Sequence, residues 1–266
     1  MLWSKVELEV FRREHRDLDE AIHALVEKGN AAVVATLVAN EGADLSESSL
    51  QTVVNNFGSS AGVQEAMVKR PRLPVTVSER LVTIVSEKLQ AELVKRQDLD
   101  PSLATDLILQ SRERATIGLG ADGDAEDLES LIAQLDSNGR LTPSIMIRAL
   151  CMGDMDFFEQ AMARKLGIGL SNTRTLLYDK GGLGLKGAFA KAGLPVSVFP
   201  AVRAAIDVAS ETELDGGDND RERYSRRMIE RILTQYGDLG VEFENDDLEY
   251  LLAKMSTLPA DRLDAA

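Results

Sequence analysis

The chain has 266 residues, 44% of them apolar and 28% charged, with a formal net charge of −14. That length holds one large domain or two ordinary ones, with enough apolar side chain for a substantial core. A duplex binder meets phosphate with a basic field, so this acidic balance excludes nucleic acid except at a local basic stripe and suits a basic protein partner.

Aromatic residues are only 5%, and Leu, Ala, Val, Glu and Arg dominate, a helical rather than a sheet palette. Cys151 is the single cysteine, so no internal disulfide can form. It lies in the apolar run IMIRALCM and reads as a small buried hydrophobe. No secretory apolar region opens the chain, and no run reaches the ~18 apolar residues of a membrane span. A cytoplasmic protein without a membrane segment is expected.

Residues 1–29 read as one or two helices, with Trp3, Val6, Val10 and Phe11 on one face and Leu18, Ile22, Leu25 and Val26 continuing it. Gly29-Asn30 stops them. Residues 30–58 form a helix pair broken at Gly42, with Ser46 as N-cap of the second helix.

Residues 61–89, AGVQEAMVKRPRLPVTVSERLVTIVSEKL, form a second pair. Val63, Ala66 and Met67 fall on one helical face, and Leu81, Ile84, Val85 and Leu89 on another. Between them lies Arg70-Pro71-Arg72-Leu73-Pro74, where each residue before a proline is pushed out of helical geometry. Val33, Leu37 and Val38 match Val63, Met67 and Val68, and Leu50, Val53 and Val54 match Leu81, Ile84 and Val85. The repeat period is therefore about 30 residues, the range of short helical hairpins.

Asp100-Pro101 opens a helix carrying Leu103, Leu107 and Ile108, which extends to about Thr116. Residues 118–127, GLGADGDAED, are polar and Gly-rich and read as a linker. A short helix over 128–135, a turn at 136–139 and a helix from Thr142-Pro143 through Cys151 follow. Phe158, Ala161, Met162, Leu176 and Leu177 sit 95 positions after Val63, Ala66, Met67, Leu81 and Val82, a third copy of the hairpin. Residues 181–187 read as a glycine-rich turn, with helices over 188–192, 198–209 and 221–236. A last helix capped at Asn245-Asp246 runs to Met255, and the chain end frays beyond Leu258.

Several stretches imitate chemistry. Gly182, Gly184 and Gly187 spell a dinucleotide fingerprint, with Asp207 twenty residues on, but the preceding run reads as helix where pyrophosphate binding needs a strand. Residues 134–145 imitate a calcium loop through Asp136, Asn138 and Gly139, yet Gln134 and Ile145 occupy two ligand positions. His15 and His23 lack the neighbours of a zinc site. No catalytic, cofactor-binding or metal residue is assigned. Arg221, Arg223, Arg226, Arg227 and Arg231 form the densest basic run, and the acidic loop before it neutralises them.

The run LVKRPRLPVTVSERLVTIVSEKLQAELVKR, followed by SRERAT, resembles the bacterial family called domain of unknown function 2336, as does DFFEQAMARKLGIG…TRTLLYDKGGLGLKGAFAKAGLP. The resemblance spans about residues 30–199. It implies helices with HEAT-like repeats on the N-terminal side and supplies no catalytic set.

The expected fold is all-α: stacked helical hairpins, a HEAT-like α-solenoid over 1–117, a linker over 118–127, and a second helical part over 128–266. The expected function is a non-enzymatic protein-interaction or regulatory scaffold with a protein partner and no cofactor. The alternatives are a hydrolase-like site assembled from scattered carboxylates, or nucleic acid held on the basic stripe. Arg70, Arg72, Arg112 and Arg114 are the candidate partner-binding residues, because arginine forks suit carboxylate or phosphate. The competing role for them is pairing with Glu79 and Glu113 or capping open helix carbonyls.

Overall fold

The computed structural model describes residues 30–40, 42–95, 100–179, 183–195 and 199–211, together with 223, 224, 226–228, 230 and 231. The readings placed on 1–29, on both histidines, on Arg221 and on the chain end beyond 231 lie outside them. Among the described residues every regular element is an α-helix and no strand occurs. The fold is all-α, as the composition and periodicity predict. It divides into two compact units between Leu119 and Gly120.

The first unit begins with α1 (Ala31–Ala39) and α2 (Glu47–Phe57), then α3 (Ala61–Val68) and α4 (Val75–Val94), and enters α5 (Pro101–Asp122). The starts are written in the sequence. Asn30 Oδ1 accepts from the backbone N–H of Ala32 and Val33 at 3.1 and 3.0 Å, and Ser46 Oγ accepts from Ser49 N–H at 3.3 Å. Each satisfies helix-start donors that have no intrahelical partner. Ser46→Ala is therefore expected to cost about 1 kcal/mol in a denaturant melt. An unchanged midpoint would show that α2 does not depend on its cap.

Helix α1 packs on α3 and α2 on α4, so each helix of one hairpin lies against the same helix of the next. Val34, Val38, Val53, Val54, Val63, Met67 and Val77 fill the space between them, each at most 1% exposed. Two matched positions fall outside that core, Val33 at 42% and Val68 at 71% exposure. The buried pairs are Val34/Val38 and Val63/Met67. The first helices of the two hairpins are thus offset by 29 residues rather than 30.

The second unit continues from the end of α5 through α6 (Ala125–Ser137), α7 (Pro143–Cys151), α8 (Met155–Leu166), α9 (Leu170–Leu177), α10 (Leu183–Lys191) and α11 (Phe199–Glu211). Helix α8 is its centre, packing on α6, α7, α9 and α10. Phe157, Phe158, Ala161 and Met162 on α8 are each fully buried, as is Leu177 on α9. Apart from the half-buried Leu176, the third hairpin's apolar positions go inside as expected. Cys151 is buried and unbridged.

Gly167 ends α8 at φ 67°, where its N–H and that of Ile168 both reach the carbonyl of Ala163. Only a residue without Cβ takes that left-handed turn freely. At Gly153, φ is 79°, and an added Cβ would lie 2.8 Å from Cδ1 of the buried Tyr224.

Two expected loops are helical. The stretch 118–127 is helix except at Gly123 and Asp124. Glycine costs a helix about 1 kcal/mol relative to alanine, but Ile117 and Gly120 are buried, and the packing outweighs propensity. The Gly-rich turn at 181–187 gives way to α10 from Leu183 onward, with Leu185 and Phe189 buried to anchor it.

Candidate functional site

The four candidate arginines have different surroundings. Arg70, half-buried after α3, turns its guanidinium onto the open C-terminal end of α1. Its Nη1 donates to the carbonyls of Val38 at 2.8 Å and Asn40 at 3.3 Å, and its Nη2 to that of Ala43 at 3.0 Å. Four carbonyls at a helix end lack intrahelical donors, and a fork of fixed geometry suits them. Arg70 therefore does the capping job, linking the second hairpin to the first.

Arg72 is exposed. On α5, Arg112 is half-buried with its Nε sealed from solvent and without a hydrogen-bond acceptor, and Arg114 is exposed. Glu79 and Glu113 are buried acids, 0% and 4% exposed.

The chemical look-alikes resolve structurally. Helix α9 precedes Gly184 and Gly187, and both glycines lie inside α10, so among the described residues no strand leads into that helix; Gly182 lies outside them. Asp136 of the calcium-like loop accepts from Arg164 Nε at 2.9 Å and from Lys165 Nζ at 2.8 Å. Lys165 first and Arg164 second hold its carboxyl below the usual range. That contact ties the end of α6 to the end of α8. Among the described residues no group of His, Cys, Asp and Glu is arranged to hold a metal. In the basic run Arg231 pairs with Glu211 at 2.6 Å and Arg226 with Glu230 at 3.3 Å.

A part-buried polar cluster joins α8 to the end of α9. Glu159, its side chain 5% exposed, accepts from Arg174 Nε at 2.6 Å through one oxygen and from the Tyr178 hydroxyl at 2.7 Å through the other. Both oxygens are occupied by the chain itself, which suits a fastening rather than a proton-transfer role. Burial first, and the carboxylate second, push the Tyr178 phenol above its ordinary value of 10.0. A raised folded value means the cluster contributes fully below pH 10 and loses that contribution as pH rises past it. Ultraviolet titration should find Tyr178 protonated until the unit unfolds, and Glu159→Ala should cost about 1–2 kcal/mol. A Tyr178 that ionises normally in the folded protein would refute the contact.

What the sequence reading missed is that apolar residues on both α4 and α5 stay exposed. Helix α4 has buried residues only in its first half, up to Thr83, and none of 85–95 is buried. Val85 and Leu89 are 44% and 49% exposed there, and Leu103 and Leu107 on α5 are 50% and 49% exposed. Gln90 Nε2 donates to Thr105 Oγ1 at 3.2 Å, so these parts of the two helices are neighbours. All four residues carry the helical spacing of a core and read as one in the sequence. The signal that could have separated them is length, because α4 runs about three turns beyond its contacts with α2.

No helix among the described residues is long and apolar enough to cross a membrane. No curated protein and no solved structure matches the chain. A family model does match, that of an uncharacterised protein conserved in bacteria, over residues 16–242, with the motif-bearing hairpins and the described helices within it. The chain belongs to that family, domain of unknown function 2336.

Proposed function

We propose that this protein is a non-enzymatic interaction or regulatory scaffold of the cytoplasm, built on HEAT-like stacking of helical hairpins, that binds a protein partner. The observation that supports this reading most is the bare half of α4. Its last eleven residues include no buried one, yet Val85 and Leu89, one turn apart, stand there half exposed. Leaving large apolar side chains in water is unfavourable by about 25 cal/mol per Å², and a clustered apolar surface marks an interaction site. Stacked hairpins offer such surfaces on a rigid frame. Arg72 and Arg112 remain candidate carboxylate-binding forks. Arg70 leaves that set, because its Nη1 and Nη2 donate to carbonyls at and just beyond the end of α1.

The shifted carboxylates also fit a non-catalytic reading. Glu65, Glu92 and Glu211 are held below the usual range by Lys69, Lys95 and Arg231, the direction of a paired surface acid rather than of a general acid. The test is cross-linking capture from native lysate with the wild type and with Val85→Asp/Leu89→Asp. A stoichiometric polypeptide should be captured by the wild type and lost in the variant, with melting unchanged. No capture by the wild type, together with turnover in a hydrolase screen, would replace the scaffold by an enzyme.

A further inference from the structure

Helix α5 turns one stripe inward at every fourth residue, Ala104, Ile108, Arg112 and Thr116. Ala104 and Ile108 are the apolar residues such a stripe requires, 0% and 8% exposed. The next two are polar. Thr116 is fully buried and Arg112 half-buried. Thr116 Oγ1 and Arg112 Nε are both sealed from solvent, and neither has a hydrogen-bond partner. Buried polar groups are nearly always paired, because an unpaired one keeps its desolvation cost and gains nothing in return. Residues four apart on a helix have Cβ atoms about 5–6 Å apart, so the two unpaired groups are neighbours.

Local structure accounts for neither. A helical threonine can donate its hydroxyl to the carbonyl four residues back. Thr36, Thr52, Thr83, Thr105, Thr173 and Thr175 all do so, at 2.9–3.2 Å. Thr116 does not, so its hydroxyl is turned away from the carbonyl of Arg112. Glu113, the buried acid next in sequence, is engaged within its own chain and leaves Arg112 Nε without an acceptor. What the pair offers is two donors, an N–H on a cation and an O–H. One group with two acceptor oxygens satisfies both.

We propose that Arg112 and Thr116 form a binding site for a single carboxylate. Two neighbouring donors match its two oxygens, and the bond from the guanidinium is charge-assisted. Arg112 is long and part-exposed, so the acid enters beside it by turning that side chain rather than by unpacking the helix. On a chain of net charge −14, a phosphate dianion is repelled more than a carboxylate. The proposal rests on the place of Arg112 in the interaction reading above and names the group it holds, a carboxylate supplied by a partner's acidic side chain or by a free small acid.

The test titrates the full chain with sodium acetate, against sodium chloride at equal ionic strength, and follows the Arg112 Nε–H resonance by 15N–1H NMR. The resonance should move downfield and saturate with acetate only. Thr116→Val keeps the shape of the side chain and removes the hydroxyl. It should raise the melting temperature without acetate, since a buried unpaired group is gone, and weaken acetate binding about ten-fold. Arg112→Met should abolish the rise in melting temperature that acetate gives the wild type. An unmoved resonance overturns the proposal, as does a lower melting temperature in Thr116→Val or tighter binding of phosphate than of acetate. Capture of a polypeptide by the wild type that is lost in Arg112→Met assigns the carboxylate to that partner. Acetate binding with no captured polypeptide assigns it to a free acid and removes only the interaction reading. Capture without any response to acetate removes this site and leaves that reading in place.

Discussion

Leu81→Asp is expected to unfold the first unit. Leu81 is 7% exposed on α4 and belongs to the cluster that includes Val34, Val54, Val63 and Met67 from the three other helices of the stacked hairpins. An aspartate there removes the apolar contacts and places a charge where no cation was provided, a combination that costs more than about 4 kcal/mol. A domain of ordinary stability is about 5–15 kcal/mol deep, so most of that margin goes. The check is a thermal melt followed by helical circular dichroism. Loss of the first unit's transition, with the second unit's transition retained, is the expected outcome. A variant melting like the wild type would mean that α4 is not packed in this register.

Arg70→Ala is expected to destabilise the same unit by about 3 kcal/mol, and Arg72→Ala by less than about 0.5. Arg70 makes three hydrogen bonds to carbonyls at and just beyond the end of α1, two of them part-buried. Charge-assisted bonds are worth about twice neutral ones, and their removal leaves the acceptors short of donors. Arg70→Lys should recover only part of the loss, since an ammonium cannot reach three carbonyls with one fork. Melting should drop by about 10 °C for the alanine variant, given the entropy of unfolding of a domain this size. If joint replacement of Arg70 and Arg72 left melting unchanged while abolishing partner capture, the capping role would be wrong and Arg70 would return to the interaction surface.

These two residues show how the sequence could be read well at one and poorly at the other. Leu81 announces itself by spacing, since apolar residues every three or four positions have to be covered by something. Arg70 carries no such mark. Its acceptors lie 27 to 32 residues earlier, and nothing local in RPRLP says whether the guanidinium points at solvent or at a helix end. Spacing also misled in the other direction. Val85, Leu89, Leu103 and Leu107 repeat like core residues, yet each is more than two-fifths exposed. Periodicity records that a face is apolar, not that anything lies on it.

What the sequence by itself determined is therefore local in origin: the helical class, the hairpin grammar, the caps at Asn30 and Ser46, and the stiff turn around Pro71 and Pro74. Each depends on side chains within about four residues along the chain. Tertiary structure alone decided the rest. It set the 29-residue offset between the first helices of the two hairpins, kept the glycines of 118–122 and 184–187 in helices, turned Arg70 inward and left half of α4 bare. Those outcomes depend on which surfaces meet. The burial gained there exceeds the roughly 1 kcal/mol by which local propensity discriminates.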